Sequence, residues 1–241
     1  MLQYTLFLRH NHTFGGGHFL KILNKLERKF GRFYIENLML YIVIGNVIVY
    51  IFDYLFPELS ISSYLFFDRG MIMQGQVWRI LSFVFLPFNY NPIFMLISAY
   101  FYWMIGSNLE RAWGGFNFNV FYFTGIIGTI IAGFITGYAT NYYLNLSLFL
   151  AFAIIFPNVE FLLFFFIPIK AKYLAYVDAV LLIWSFFTTD FSGKMAILVA
   201  FLNIAIFFGG DTFNKIRDKF RYRKVRKNFR IQMSSRDNDD E

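Results

Sequence analysis

The chain has 241 residues, of which 58% are hydrophobic and only 15% are charged, and its mean hydropathy is +0.51. Because a soluble domain carries roughly 25% charged residues, this composition excludes a soluble globular protein and is typical of a polytopic membrane protein. The absence of cysteine excludes disulfides, thiolate metal sites and a cysteine nucleophile. The net charge is +7 and is concentrated near the two ends, which predicts contact with membrane lipids and no specific binding of nucleic acid.

The N-terminal region divides into two parts of different character. Residues 1–17 are polar and lack the apolar core of a secretory signal, so we expect an uncleaved, solvated tail. Residues 18–36 place apolar and basic side chains on opposite faces of a helix. This pattern predicts an amphipathic helix, which lies either on an anionic membrane surface or on the protein's own cytosolic face.

Six apolar segments follow, each a candidate for a membrane-spanning helix of roughly 20 residues. They cover residues 38–56, 92–107, 116–137, 146–156, 173–187 and 195–208. The aromatic-rich connection 58–78 is predicted to be a long loop half-sunk in the membrane interface. The apolar run 161–167 is too short to cross a bilayer, so we expect an extended segment at the surface.

The third segment carries small residues at every fourth position. They are Gly125, Thr129, Gly133 and Gly137. Small residues at this spacing let another helix approach closely in lipid, where packing drives association. We therefore expect the third helix to be the packing centre of the bundle.

The distribution of charge predicts the topology. Six spans place both termini on one side, and nine Lys or Arg residues in 215–230 mark that side as cytoplasmic. The predicted organisation is a tail with a surface helix (1–37), a membrane domain (38–210) and a basic tail with an acidic end (211–241). The chain is therefore expected to be an integral membrane protein, in the plasma membrane if it is prokaryotic.

Two motifs that combine glycine, tryptophan and charge lie on either side of the second segment. One reads Gly75-Gln-Val-Trp78-Arg79, and the other reads Gly106-Ser-Asn-Leu-Glu110-Arg111-Ala-Trp113-Gly114. In their order they resemble the motifs of the rhomboid superfamily, which end the first external loop and form a Glu-containing turn after the second helix. The resemblance implies an all-α, six-helix membrane bundle with a half-buried first external loop. It assigns a structural role to Gly75, Trp78, Arg79, Glu110, Arg111 and Gly114.

The residues needed for proteolysis are missing from the positions where the resemblance would place them. Rhomboid peptidases use a serine in a Gly-X-Ser-Gly turn of the fourth helix and a histidine on the sixth. Here no glycine flanks Ser147, the corresponding residue of the sixth helix is Asn203, and every histidine lies within the first 18 residues. An asparagine amide is not basic near neutral pH, so it cannot activate a serine hydroxyl. We therefore predict no catalytic residue, and the chain resembles the derlin-like, inactive members of the superfamily.

Polar residues remain within the apolar segments. Asn145, Ser147 and Asn203 are predicted either to line a polar cavity or to make ordinary hydrogen bonds between helices. Asp178 is expected to form an ion pair with Arg111 or with one of two lysines, Lys170 and Lys172.

These features lead to one principal functional hypothesis and two alternatives. The principal hypothesis is a pseudoprotease that binds transmembrane segments of client proteins in membrane-protein quality control or trafficking. The alternatives are an intramembrane serine peptidase with an atypical active site, and a small transporter that uses Asp53 or Asp178. No cofactor or metal is implied, and the sequence favours no particular oligomeric state.

Overall fold

A computed structural model describes residues 25–163 and 167–208, and it is dominated by apolar helices. They are α1 (Leu38–Leu55), α2 (Pro92–Trp113), α3 (Gly115–Thr136), α4 (Tyr142–Ile155), α5 (Ala171–Thr188) and α6 (Phe191–Phe208). Five of these helices are long and apolar enough to cross a membrane, and α4 is shorter, with 14 residues. The chain is therefore a polytopic integral membrane protein. Apart from the last four residues of α6, these helices belong to one compact unit, Leu26–Ile204.

The N-terminal segment departs from the predicted amphipathic helix. The described part is helical over 25–30 and then turns, whereas the prediction continued the helix to residue 36. The backbone beyond the turn is bound to other elements instead. Ile35 exchanges two hydrogen bonds with the Asn119 amide, both at 3.0 Å, and the Asn37 N–H donates to Glu110 Oε1 at 2.8 Å. The three histidines, the start of the predicted surface helix and the basic tail lie outside the described residues.

Helix α2 is longer than predicted. The prediction that it ends at residue 107 is wrong, because the motif from Gly106 to Trp113 forms its last two turns and the chain reverses at Gly114. Asn108 is compatible with the helix because its side-chain amide donates to the Met104 carbonyl at 2.7 Å. At Gly106 a methyl group would collide with Met39 of α1, so the glycine permits close contact between the two helices.

The connection between α1 and α2 is ordered. It contains short helices at Ile61–Leu65, Arg69–Met73 and Arg79–Ser82, and a 3-10 turn at Phe83–Phe85. Its strand β1 (Phe67–Asp68) pairs antiparallel with β2 (Tyr138–Ala139), which follows α3. The fully buried Phe67 ring makes edge contacts with Phe83 and Phe134, which fixes the connection against the end of α3.

Helix α3 is the most buried of the five long helices, because 50% of the residues in its most apolar 18-residue stretch are buried. A methyl group added at Gly125 would meet Leu144 of α4 and Asn203 of α6, and one at Gly133 would meet Phe67. The Thr129 hydroxyl donates within the helix to the Gly125 carbonyl at 2.9 Å. Three of the four small residues thus lie on the packed face. The fourth, Gly137, ends the helix with a φ of 97°.

The segment between α4 and α5 forms a hairpin of two short strands. Strand β3 (Glu160–Leu163) pairs antiparallel with β4 (Ile167–Lys170), so the described part of the predicted run 161–167 is extended. Helix α5 then packs through Leu182 against Leu150 of α4 and Ile197 of α6. This contact fixes one face of α5 and leaves most of its surface uncovered.

Candidate functional site

Helices α3, α4 and α6 enclose a narrow crevice at the predicted site. Ser147 and Asn203 both line it, together with Gly125 and Thr129, and both are almost fully buried. The crevice contains no space large enough for a water molecule. The structure therefore brings two of the three predicted cavity residues together, but in a closed contact between helices.

The Ser147 hydroxyl is not positioned as an activated nucleophile. It donates to the Leu144 carbonyl of its own helix at 2.7 Å. The crevice is lined only by Gly, Ala, Val, Leu, Thr, Ser and Asn residues, so no described group there can accept the hydroxyl proton as a base. This bond is the usual arrangement of a serine within a helix.

The other two predicted residues make separate contacts. Asn203 donates its amide to the Phe121 carbonyl of α3 at 3.3 Å, while its buried Oδ1 accepts no hydrogen bond from residues 25–163 or 167–208. Asn145 accepts a hydrogen bond from the Tyr122 hydroxyl at 3.3 Å and does not line the crevice. Their role in this conformation is to join α3 to α4 and α6.

The Trp78-Arg79 motif fastens the connection between α1 and α2. The Arg79 side chain is only 6% exposed, and its Nη1 donates to the carbonyls of Ser63 and Phe66 at 2.8 and 3.0 Å. Its Nε donates to Gln76 Oε1 at 2.7 Å. These bonds satisfy carbonyls at the end of the short helix Ile61–Leu65, where no intrahelical donor remains.

The residues around this anchor have complementary roles. The indole N–H of Trp78 donates to the Tyr64 carbonyl at 3.1 Å, and Gly75 supplies a turn with a φ of 101°. Glu110 binds the backbone at the start of α1, whereas Arg111 is exposed. These motifs therefore organise the backbone, and none of their residues lines the crevice between α3, α4 and α6.

Sequence reasoning missed one buried contact of the same connection. The side-chain amide of Asn141 donates to the carbonyls of Val84 and Leu86 at 3.2 and 2.8 Å, and Asn46 of α1 donates to the same two carbonyls. Both asparagines are buried. The sequence does not distinguish Asn141, because it lies in a short polar turn where an asparagine is ordinarily exposed to solvent.

Asp178 has a different environment from the predicted one. It forms no ion pair with any described residue, and Lys170 instead lies 4.0 Å from Glu160 across the hairpin. Its Oδ2 atom is buried and has no hydrogen-bond partner in the part of the chain that the structure describes. The expected ion pair is therefore wrong, because residues 170 and 172 lie before and at the start of α5 while Asp178 lies near its midpoint.

The surroundings of Asp178 distinguish it from the other polar groups. Only 11% of the residues of α5 are buried, the smallest share among the five long helices. One turn further along α5, Leu181 is exposed and Leu182 is buried. Since both are neighbours of Asp178 on the helix surface, Asp178 lies between the exposed and the buried face of α5. A carboxyl group thus lies at the edge of an uncovered apolar helix face, with the Tyr102 hydroxyl of α2 within electrostatic range.

No protein-family model matches the chain, and no curated protein matches it significantly.

Proposed function

We propose that this chain is a rhomboid-like, non-proteolytic membrane protein that binds transmembrane segments of other proteins. In this proposal the six helices form one membrane bundle, the connection 57–78 is external, and both termini are cytoplasmic. The motif order, the basic ends and the ordered connection anchored by Arg79 support it. The assignment of function within that scaffold depends on the site, because fold alone does not determine function.

The observation that carries the proposal is the buried Oδ2 atom of Asp178 near the midpoint of α5, which has no hydrogen-bond partner among the described residues. A carboxyl group in a hydrocarbon environment is costly unless another polar group satisfies it, and such residues usually face a partner or a pathway. Since α5 is the least covered long helix, a second helix has room to pack beside it. A membrane segment that carries a basic or strongly polar residue at mid-depth would satisfy the carboxyl group.

The geometry favours binding over proteolysis. Ser147 is bonded to its own helix, and no base lines the crevice around it. The crevice is also closed, so a client segment would have to separate α3, α4 and α6 to reach it. The uncovered side of α5 needs no such rearrangement.

Site-specific photo-crosslinking in the native membrane tests this proposal. A photoreactive amino acid at Leu181, one turn from Asp178, should crosslink to membrane proteins, whereas the same probe at exposed Ile48 of α1 should not. Asp178→Leu should abolish the crosslinks from position 181. Crosslinks to lipid alone, or protein crosslinks of equal yield in the Asp178→Leu variant, would overturn the proposal.

A further inference from the structure

A cleft separates the segment before α1 from the first turns of α3. Its volume is about 370 Å³, and aromatic rings form much of its wall. These rings belong to Phe33, Tyr34, Phe116 and Phe123. Phe33 is 81% exposed, more than any other large hydrophobic side chain in the described part of the chain.

The polar groups in the wall of the cleft are already bonded. The Asn119 amide uses both its oxygen and its nitrogen on the Ile35 backbone, and the nitrogen also donates to the Gly115 carbonyl at 2.9 Å. The Tyr34 hydroxyl points to Glu36 at 3.5 Å. An occupant of the cleft therefore meets a mainly apolar surface.

The charge at the edge of the cleft is positive. Arg32 contributes to the lining, is exposed, and forms no ion pair with a described residue. Two further cations, Arg28 and Lys29, lie on the preceding helical turn. Among the nearby acids, Glu27 accepts a hydrogen bond from Asn117 at 3.4 Å and Glu36 accepts the one from Tyr34. The guanidinium of Arg32 is therefore available to an external anion.

The cleft lies where two apolar helices begin, since the residues before Leu38 form one wall and the start of α3 forms the other. The ends of spanning helices lie at the level where hydrocarbon meets lipid headgroups. An apolar cleft at this depth with a cation at its edge matches an amphiphile that has an acidic headgroup.

We propose that this cleft binds an anionic phospholipid, with an acyl chain against the aromatic wall and the phosphate at the Arg32 guanidinium. Guanidinium and phosphate match in geometry as well as in charge. The site is separate from α5 and does not rest on the function proposed above.

Native mass spectrometry of the full chain in neutral detergent tests the site with a defined probe. We expect phosphatidylglycerol to bind more tightly than phosphatidylcholine. The first bound lipid molecule (the first equivalent) should stay attached at low collision energy. Arg32→Gln should weaken the binding of that first lipid at least about tenfold, the value of one direct hydrogen bond between charged groups. Arg28→Gln removes the same charge one turn away without altering the lining, and should leave the first equivalent unchanged. Equal loss in both variants would indicate a diffuse basic surface and overturn the proposal.

Two further measurements address the other possible occupants. Val120→Trp places a large ring in the cleft and should displace the lipid even with Arg32 intact. A photoreactive residue at Phe33 should crosslink to phospholipid in membranes. Crosslinking to residues 1–24, to a second copy of the chain or to another protein in place of lipid would contradict the assignment, as would unchanged lipid binding by the Val120→Trp variant.

Discussion

Asn46 and Asn141 donate to the same pair of backbone carbonyls, although they lie 95 positions apart in the chain. One is on α1 and the other is in the turn that leads into α4. The shared carbonyls belong to Val84, which lies within the 3-10 turn Phe83–Phe85, and to Leu86, which follows that turn. Two buried amides thus fix one turn between two helices.

Removing either amide should destabilise the bundle. We expect Asn46→Ala and Asn141→Ala each to cost roughly 0.5–1.5 kcal/mol, because each removes buried hydrogen bonds while the other asparagine still donates to the same carbonyls. The midpoint of denaturation in detergent measures this loss. Asn108→Ala is the matched control, since its amide bonds only within its own helix.

The double variant provides a sharper check of the shared turn. Because the two side chains act on the same carbonyls, their effects should differ from additivity by at least about 0.5 kcal/mol. Strict additivity would show that the two amides act independently.

Arg79 should not be replaceable by lysine. Arg79→Lys keeps the positive charge but loses the planar group that reaches two carbonyls and Gln76, so we expect a loss of roughly 1.5–3 kcal/mol. Limited proteolysis of the connection between α1 and α2 should accelerate in step. Arg69→Lys serves as the control, because Arg69 makes an exposed bond to the Phe134 carbonyl. Equal effects at both positions would refute a special role for Arg79.

Gly106→Ala should separate α1 from α2. The added methyl group would collide with the Cβ and Cγ atoms of the buried Met39. Because these atoms are close to the α1 backbone, the collision cannot be relieved by a change in the end of the side chain alone. Overpacking of this kind costs about 1–3 kcal/mol, more than the gain from better helix propensity. Thermal denaturation in detergent measures the change, and Ser107→Ala is the adjacent control. A stabilised Gly106→Ala protein would contradict the close contact.

Ser147 should be chemically inert. A fluorophosphonate probe labels activated serines, and we expect no labelling of this chain because the hydroxyl has no base. Ser147→Ala should alter stability by less than about 1 kcal/mol, since the hydroxyl bonds only its own helix. Covalent labelling that maps to Ser147 would revive the alternative of an atypical peptidase.

The features that the sequence predicts well are those that repeat along the chain. The apolar segments and the small-residue stripe of α3 follow from periodicity, and the structure places Gly125 and Gly133 in close contacts. The predicted end of α2 is wrong because a glycine followed by polar residues, as at Gly106, is typical of a turn. In the structure Gly106 packs closely on Met39 and the Asn108 side chain donates to the Met104 carbonyl, and no sequence period predicts these tertiary and local contacts.

The site residues show the same division. The anchoring motif Trp78-Arg79 was identifiable because aromatic and charged residues are conspicuous in an apolar chain. The environment of Asp178 and the partners of Asn145 and Asn141 were not, because each depends on which helices lie side by side. Lys170 immediately precedes α5 and lies 4.0 Å from Glu160 across the hairpin, so its distance from Asp178 in the sequence does not predict its partner.

The most direct test of the proposed function is a charge exchange with a model transmembrane peptide. The full chain and a single-span, leucine-rich peptide with one mid-span lysine are reconstituted together, and association is measured by fluorescence energy transfer. We predict that the lysine peptide binds the native protein, that Asp178→Lys abolishes this binding, and that an otherwise identical peptide with aspartate in place of lysine binds the Asp178→Lys variant. Binding that is indifferent to the charges on either partner would contradict the role of Asp178 and the function built on it.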